Sequence, residues 1–226
     1  MAIYSMDCFA ALAMTIWRKT MKYCSLTFDD GPNFAGDNTM NKMLDILEKH
    51  GVVASFFLIA NKISADNTAV IERAVKMGCD IENHTWSHPD MTKLTREEMV
   101  EEYNKCDEAI IKITGKKPVL FRPPYISVND LMHEVIHVPF ICGHGCEDWV
   151  KERTADERYK LMMENVQDGV MYLLHVDDGN EATLELVDRA IPVLKEQGFE
   201  FVTAPKLFEL KGVPMKDNGQ NWTVVQ

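Results

Sequence analysis

The sequence predicts an α/β domain built on parallel strands, and three observations carry that expectation. Strand-like and helix-like segments alternate from Tyr23 to Leu210, which requires crossover connections between strands that point the same way. Val53 to Ile59 is an apolar, β-rich run with no polar alternation, the pattern of a strand buried on both faces. Polar, chemistry-bearing residues then follow directly after several of the predicted strands, where parallel α/β folds place their sites. A chain of 226 residues suits a single domain. Six or seven strands fit either a closed barrel or an open doubly wound sheet, and periodicity does not separate the two.

Residues 1–22 are expected to form an N-terminal amphipathic helix, since Phe9, Leu12, Ala13, Ile16 and Trp17 recur at helical spacing. The apolar run Cys8 to Trp17 has Asp7 at its edge and its basic residues, Arg18, Lys19 and Lys22, behind it. That is the wrong polarity for a secretory signal, and the run is too short to span a bilayer. A cytoplasmic location is therefore expected if this N-terminus is native; otherwise the protein is exported or cell-wall associated.

Tyr23 to Phe28 reads as the first strand. Met40 to Leu47 is helical and stops at His50-Gly51. After the buried strand at Val53–Ile59, Val70 to Met77 forms a helix ending at Gly78, and Cys79 to Glu82 is short and extended. Thr95-Arg96-Glu97-Glu98 is a capping box that opens a long helix ending near Gly115. Pro118–Phe121, Pro139–Cys142 and Val170–Leu174 are further strands. Leu184 to Gln197 is helical despite Pro192, Phe199 to Thr203 is a last strand, and Ala204 to Leu210 a short helix. Residues 212–226 are polar and turn-rich and read as a loose C-terminal tail, with a short strand signal at Trp222–Val225.

Hydrophobic residues make up 46% and charged residues 26%, which excludes a disordered chain and a disulfide mini-protein. Lys and Arg total 24 against 35 Asp and Glu, a net charge of −11. A field of that sign repels phosphate backbones and anionic membranes, so neither a nucleic acid nor a membrane is an expected partner. An uncharged polymer such as a sugar chain fits better. The six cysteines form no Cys-x-x-Cys pair and several lie in apolar runs, so buried free thiols are expected.

Four groups carry the chemistry: Asp29-Asp30-Gly31-Pro32, Glu82-Asn83-His84-Thr85-Trp86-Ser87-His88, Arg122-Pro123-Pro124-Tyr125, and His175 after Leu174. Each alone has an ordinary reading: a solvated turn, loop histidines, a surface ion pair, a satisfied core histidine. Their coincidence at four strand ends favours a site. Two imidazoles and one carboxylate suit zinc or another divalent first-row ion with open positions. Of two adjacent carboxylates, one then binds the ion and the other remains free as a base.

With these motifs the sequence resembles the polysaccharide deacetylases of carbohydrate esterase family 4. The resemblance rests on Thr27-Phe28-Asp29-Asp30-Gly31-Pro32, His84-Thr85-Trp86-Ser87-His88, Arg122-Pro123-Pro124-Tyr125, Asp148-Trp149 and Leu173-Leu174-His175, in that order. It implies a single-domain α/β fold, a distorted (β/α) barrel of seven or eight strands, with the catalytic domain over residues 23–211. It also implies roles: Asp29 as general base; Asp30, His84 and His88 as ligands of one divalent ion, expected to be zinc; and Arg122 orienting the base. The Tyr125 N–H becomes the oxyanion donor, Asp148 the partner of the catalytic histidine, Trp149 and Leu173 walls of the substrate groove, and His175 the general acid. The implied substrate is an N-acetylated polysaccharide or oligosaccharide, chitin-like or peptidoglycan-like. Three alternatives stand beside it: O-deacetylation of acetylated xylan, a non-catalytic carbohydrate-binding barrel, and a non-haem iron oxygenase, which shares the two-histidine, one-carboxylate set. The chain departs from the family pattern at Gly145, Ile126 and Val176, positions that bear on the substrate.

Overall fold

The computed structural model describes residues 21–34 and 37–226. The amphipathic helix expected over residues 1–22 lies outside the described residues except at its end, where Lys22 already belongs to the first strand.

Strand β1 (Lys22–Asp29) is the centre of the sheet. Along one edge it pairs in parallel with β6 (Val170–His175), from Cys24↔Val170 to Asp29↔His175. Its other edge is shared: the last three residues pair with β2 (Ser55–Leu58) and the first three with β7 (Phe199–Phe201). Next to β2 lies β3 (Asp80–Asn83). Asn83 bridges to Phe121, and Phe121 bridges to Phe140 in β4 (Phe140–Ile141). Two residues further on, β5 (His144–Gly145) pairs with β6. The ring thus returns to β1, and the fold is a distorted parallel barrel, as expected, with β7 wedged into its base between β1 and β2.

Helices α1 (Thr39–His50), α2 (Thr68–Lys76), α3 (Arg96–Thr114), α4 (Asp130–Val135), α5 (Ala155–Met163), α6 (Glu181–Glu196) and α7 (Ala204–Lys211) surround it. The alternation of β1 explains why a strand can be buried on both faces. Cys24, Leu26 and Phe28 pack outward in one core with Met40 and Leu44 of α1 and Val187 and Ile191 of α6. Tyr23 packs inward with Phe57, Leu120, Ile141 and Met171. Each such Leu or Phe contributes about 1.5–3 kcal/mol by leaving water.

The capping box at Thr95 and Glu98 opens α3, which ends at Gly115 with φ 69, a left-handed cap that favours glycine. A second box, Thr154 with Glu157, opens α5, a helix the sequence reading did not assign although the same Thr-x-x-Glu signal is present. Helix α6 runs through Pro192 because Ile191 and Leu194 anchor it in the core.

Two expectations change. The strand expected at Pro118–Phe121 is reduced to the bridge at Phe121. The buried Glu82 carboxylate accepts from the N–H groups of Val119 and Leu120, both at 2.8 Å, and takes the place of a strand ladder there. Residues 212–226, expected to be a loose tail, are instead pinned. Strand β8 (Asn221–Trp222) pairs with β4, Trp222 O accepts from Cys142 and Gly143, and Met171 donates to Thr223 O. Val225 is fully buried. The short apolar signal at the end of the chain fills the gap between β4 and the start of β6, and only the polar stretch before it is a connector.

The five cysteines in the described region are free thiols. No described helix is long and apolar enough to cross a membrane.

Candidate active site

The carboxyl ends of β1, β3 and β6, with the loops after Phe121 and β5, converge on one cleft of about 480 Å³. Eight residues singled out in the sequence line it: Asp29, Asp30, His84, His88, Tyr125, Trp149, Leu173 and His175. The remaining two, Arg122 and Asp148, lie beneath it and are buried. A larger open groove of about 810 Å³ at the opposite end of the barrel is lined by Val53, Phe201, Pro205 and Leu210 among others; it contains no histidine.

Asp29 is the last residue of β1 and is buried. Its Oδ1 accepts from Arg122 Nη1 at 2.5 Å. Arg122 is wholly enclosed by its partners. Nη2 donates to Thr27 Oγ1 at 2.7 Å, Nε donates to Ile141 O at 3.2 Å, and the guanidinium stacks 4.3 Å from the Phe57 ring centre. Thr27 Oγ1 donates onward to Tyr172 O at 2.5 Å. Burial raises the Asp29 pKa and the charge of Arg122 opposes it, with burial prevailing.

Asp30 follows with φ 72, a left-handed conformation that turns its side chain away from that of Asp29. Asp30 Oδ1 lies 3.6 Å from His84 Nε2 and 3.7 Å from His88 Nε2. That oxygen is buried and has no hydrogen-bond partner. A carboxylate oxygen is rarely left so, and two imidazole nitrogens pointing at it supply no obligatory donor. His84 Nδ1 is held by Arg122 O at 2.7 Å, which commits that nitrogen as the donor and leaves Nε2 with its lone pair. Burial lowers the pKa of His84 to about 3 and also lowers that of His88, so both rings are neutral, the form that ligates. The three ligand atoms lie within 4.8 Å of one another. An orphaned anionic oxygen beside two neutral imidazoles fits a divalent cation. Asp29 Oδ2 is 3.7 Å from His84 Nε2, at the margin of the same cluster.

The loop that carries the histidines is held by its own polar groups. Asn83 Oδ1 accepts from Thr85 N at 2.8 Å, and Thr85 Oγ1 accepts from His88 N at 2.9 Å. Thr85 and His88 both have positive φ, 70 and 61. Strained residues gathered at one place are a mark of a functional loop.

On the far side of the cleft, His175 ends β6 and its Nδ1 meets Asp148 Oδ1 at 2.8 Å. Asp148 Oδ2 accepts from His175 N at 2.7 Å and from Thr183 Oγ1 at 3.0 Å, so the carboxylate is fixed at both oxygens. Burial disfavours the imidazolium, but the charge of Asp148 and its hydrogen bond outweigh that and push the His175 pKa up to about 9. The two histidine environments are opposite: neutral on the Asp30 side, protonated on the Asp148 side.

Two exposed rings flank the cleft. Tyr125, 67% exposed, stands edge-on to His88 at 4.7 Å, and Trp149, 53% exposed, stands edge-on to His175 at 5.8 Å. Tyr125 and Ile126 both have positive φ, 59 and 55, and Ile126 lines the cleft beside Tyr125. Sequence reasoning placed Thr27 in the first motif without a role and missed Thr183; they fix Arg122 and Asp148. Thr27 was legible through strand alternation, being two residues before Asp29; Thr183 has no local signal, since it lies in the first turn of α6.

A parallel barrel with this two-histidine, one-carboxylate cluster facing a histidine–aspartate pair is the architecture of carbohydrate deacetylases. The chain belongs to the polysaccharide deacetylase family, whose model matches residues 18–137. It is 38% identical over 208 residues to a bifunctional xylanase/deacetylase of Pseudobutyrivibrio xylanivorans, covering 92% of this chain and 34% of that protein. It is 35% identical to a peptidoglycan-N-acetylglucosamine deacetylase of Listeria monocytogenes, covering 84% of this chain and 40% of that one. The chain therefore spans about a third to two fifths of the length of these curated relatives. Among solved structures, it is similar to the family 4 domain of a multidomain xylanase from the hindgut metagenome of Trinervitermes trinervoides, with TM-score 0.87 and 36% identity over 91% of this chain and 98% of that one. A family 4 acetyl xylan esterase from Clostridium thermocellum, in complex with a cobalt ion, gives TM-score 0.85 and 33% identity over 90% and 99% of the two chains.

Proposed function

We propose that the protein is a metal-dependent hydrolase that removes acetyl groups from a carbohydrate, with an N-acetylated sugar chain as its substrate. One observation carries the reading: an orphaned Asp30 oxygen with two neutral histidines on one side of the cleft, and a histidine held protonated by Asp148 on the other. Asp30, His84 and His88 would hold the ion. A divalent cation held there, for which two nitrogens and one oxygen suit zinc or another first-row ion, would supply Lewis acidity towards the acetyl carbonyl and water.

The chain's own residues do the rest. Arg122 ties up Asp29 Oδ1, so Oδ2 is the oxygen that faces the cleft and takes the proton of the attacking water. The Tyr125 N–H, turned by its left-handed backbone, donates to the oxygen on which charge develops. Asp148 holds His175 by Nδ1, leaving Nε2–H for the departing group. A leaving nitrogen must be protonated as the bond breaks, and a histidine that stays charged to about pH 9 meets that demand. Leu173 walls the pocket for the acetyl methyl, and Trp149 lines the groove for the sugar.

A second reading, O-deacetylation of acetylated xylan, draws support from the likeness to an acetyl xylan esterase, as the first does from the likeness to peptidoglycan deacetylases. Acetate release from an N-acetylglucosamine oligomer and from acetylated xylan, with and without a chelator, tests both. His175→Ala separates them further. On the amide the rate should fall roughly 10²–10⁴-fold, the range for loss of a general acid. On an activated aryl acetate the loss should be far smaller. Equal losses on both would mean that His175 positions substrate rather than donating a proton.

A further inference from the structure

Gly145 lies in β5, where it pairs with Leu173 of the cleft wall. A Cβ built on it meets Cζ3 and Cη2 of the Trp149 indole at 2.8 and 2.9 Å, closer than side chains tolerate. The next neighbour, Leu173 Cδ2, is at 3.8 Å, an ordinary contact. The Gly145 backbone is not left-handed, so an alanine fits its conformation. The bare backbone at 145 therefore serves one side chain. Trp149 lies back over it, keeps its edge against His175, lines the cleft and stays 53% exposed.

We propose that Gly145 is a positioning residue that sets the sugar-binding pose of Trp149, and that the pose presents the indole to the apolar C–H face of a neutral pyranose ring. The inference rests on the carbohydrate-deacetylase reading for its ligand; the pose itself does not. A Cβ at 145 displaces the indole from its place over the strand, and the ring must shift to make room. An aromatic face held still at the wall of the cleft binds a ring by its C–H surface at little conformational cost. Asp29, Asp30, His84 and His88 lie outside this contact and His175 keeps its hydrogen bonds to Asp148, so the effect belongs chiefly to binding rather than to proton transfer.

The test is Gly145→Ala, alone and combined with Trp149→Ala. Tryptophan emission and near-UV circular dichroism of the free protein, with the Trp149→Phe spectrum subtracted to isolate this ring, read the pose without any ligand. Calorimetric titration of metal-free protein with the N-acetylglucosamine tetramer and with acetylated xylotetraose reads binding. Gly145→Ala should alter the Trp149 spectrum, and both Kd and KM for the glycan should rise about tenfold, the scale of one lost stacking contact. kcat should change less than about threefold, since no proton donor or acceptor has moved. In the Trp149→Ala background Gly145→Ala should be silent in every readout, melting temperature included. An unchanged Trp149 spectrum with unchanged Kd overturns the proposal, as does an equal effect of Gly145→Ala in the Trp149→Ala background. If the wild type neither binds nor hydrolyses either glycan, the carbohydrate reading fails, and the free-protein spectra still decide whether Gly145 sets the ring.

Discussion

Replacing Asp148 by asparagine keeps the shape of the His175 partner and removes its charge. His175 titrates at about 9 because the Asp148 charge and hydrogen bond overcome the effect of burial. Without that charge, burial is left as the main influence, and it acts to lower the pKa from the ordinary 6.5. The acid must carry its proton, so activity falls as pH rises through this pKa. At pH 8 a group that titrates at about 9 is roughly nine-tenths protonated, whereas one at 6.5 is about 3% protonated. A cation at Asp30 would offset the smaller contributions of Asp29 and Asp30 to His175 and leave that of Asp148 in place. We therefore expect the basic limb of the pH–rate profile to move down by about two pH units, with a loss of about tenfold or more at pH 8. Folding stability carries the same signature. The folded pKa is raised, so the contribution of His175 is complete below about 6.5 and is lost as pH rises to about 9; that decline should vanish in Asp148→Asn. Imidazole ¹⁵N NMR titration of metal-free protein and the pH–rate profile of loaded enzyme read the two effects. An unchanged His175 midpoint and an unchanged basic limb would refute the assignment of Asp148 and His175 as partner and acid.

His84→Ala or His88→Ala should lower metal affinity about tenfold or more, measured by competition with a coloured chelator; full occupancy and full activity would remove the metal site. Asp29→Asn should keep the metal and abolish acetate release, while Asp30→Asn should chiefly weaken metal binding, and the reverse pattern would exchange their roles. Arg122→Met should leave the buried Asp29 carboxylate unpaired, a change on the order of 3–5 kcal/mol that lowers the melting temperature by roughly 10 °C. A melting temperature within a degree or two of wild type would mean that Asp29 is neutral in the folded protein.

Much of this site was legible because its chemistry lies at strand ends, and strand ends are marked by apolar runs. β1, β3 and β6 were each read within about one residue, and Asp30, His84 and His175 lie at their ends. Local signals also fixed α3, through its capping box and terminal glycine. What escaped depends on long-range partners. Glu82 replaces a ladder at Val119 and Leu120 from 37 and 38 residues away. The tail after Gly212 is ordered by hydrogen bonds to Cys142, Gly169 and Met171, none of them near in sequence. Thr183 is 35 residues from the Asp148 it secures. Gly145 stood out in the sequence only as a departure from the family pattern, since a missing Cβ has meaning only once Trp149 lies over it.

Asp29 and His175 are direct neighbours in the β1–β6 ladder. The spacing of proposed base and acid is thus an interstrand repeat, fixed by backbone hydrogen bonds between two central strands. Tyr125, Ile126 and Trp149, which shape the groove, sit on loops after other strands. The distance between proposed base and acid is therefore set by the sheet, while the side chains that shape the groove are carried by loops. Loops can be lengthened, shortened or exchanged between relatives without resetting the distance across which protons move. A designer seeking a new glycan preference should leave the β1–β6 pair, Asp148 and the Tyr125 backbone alone and vary the side chains at Ile126, Gly145 and Trp149.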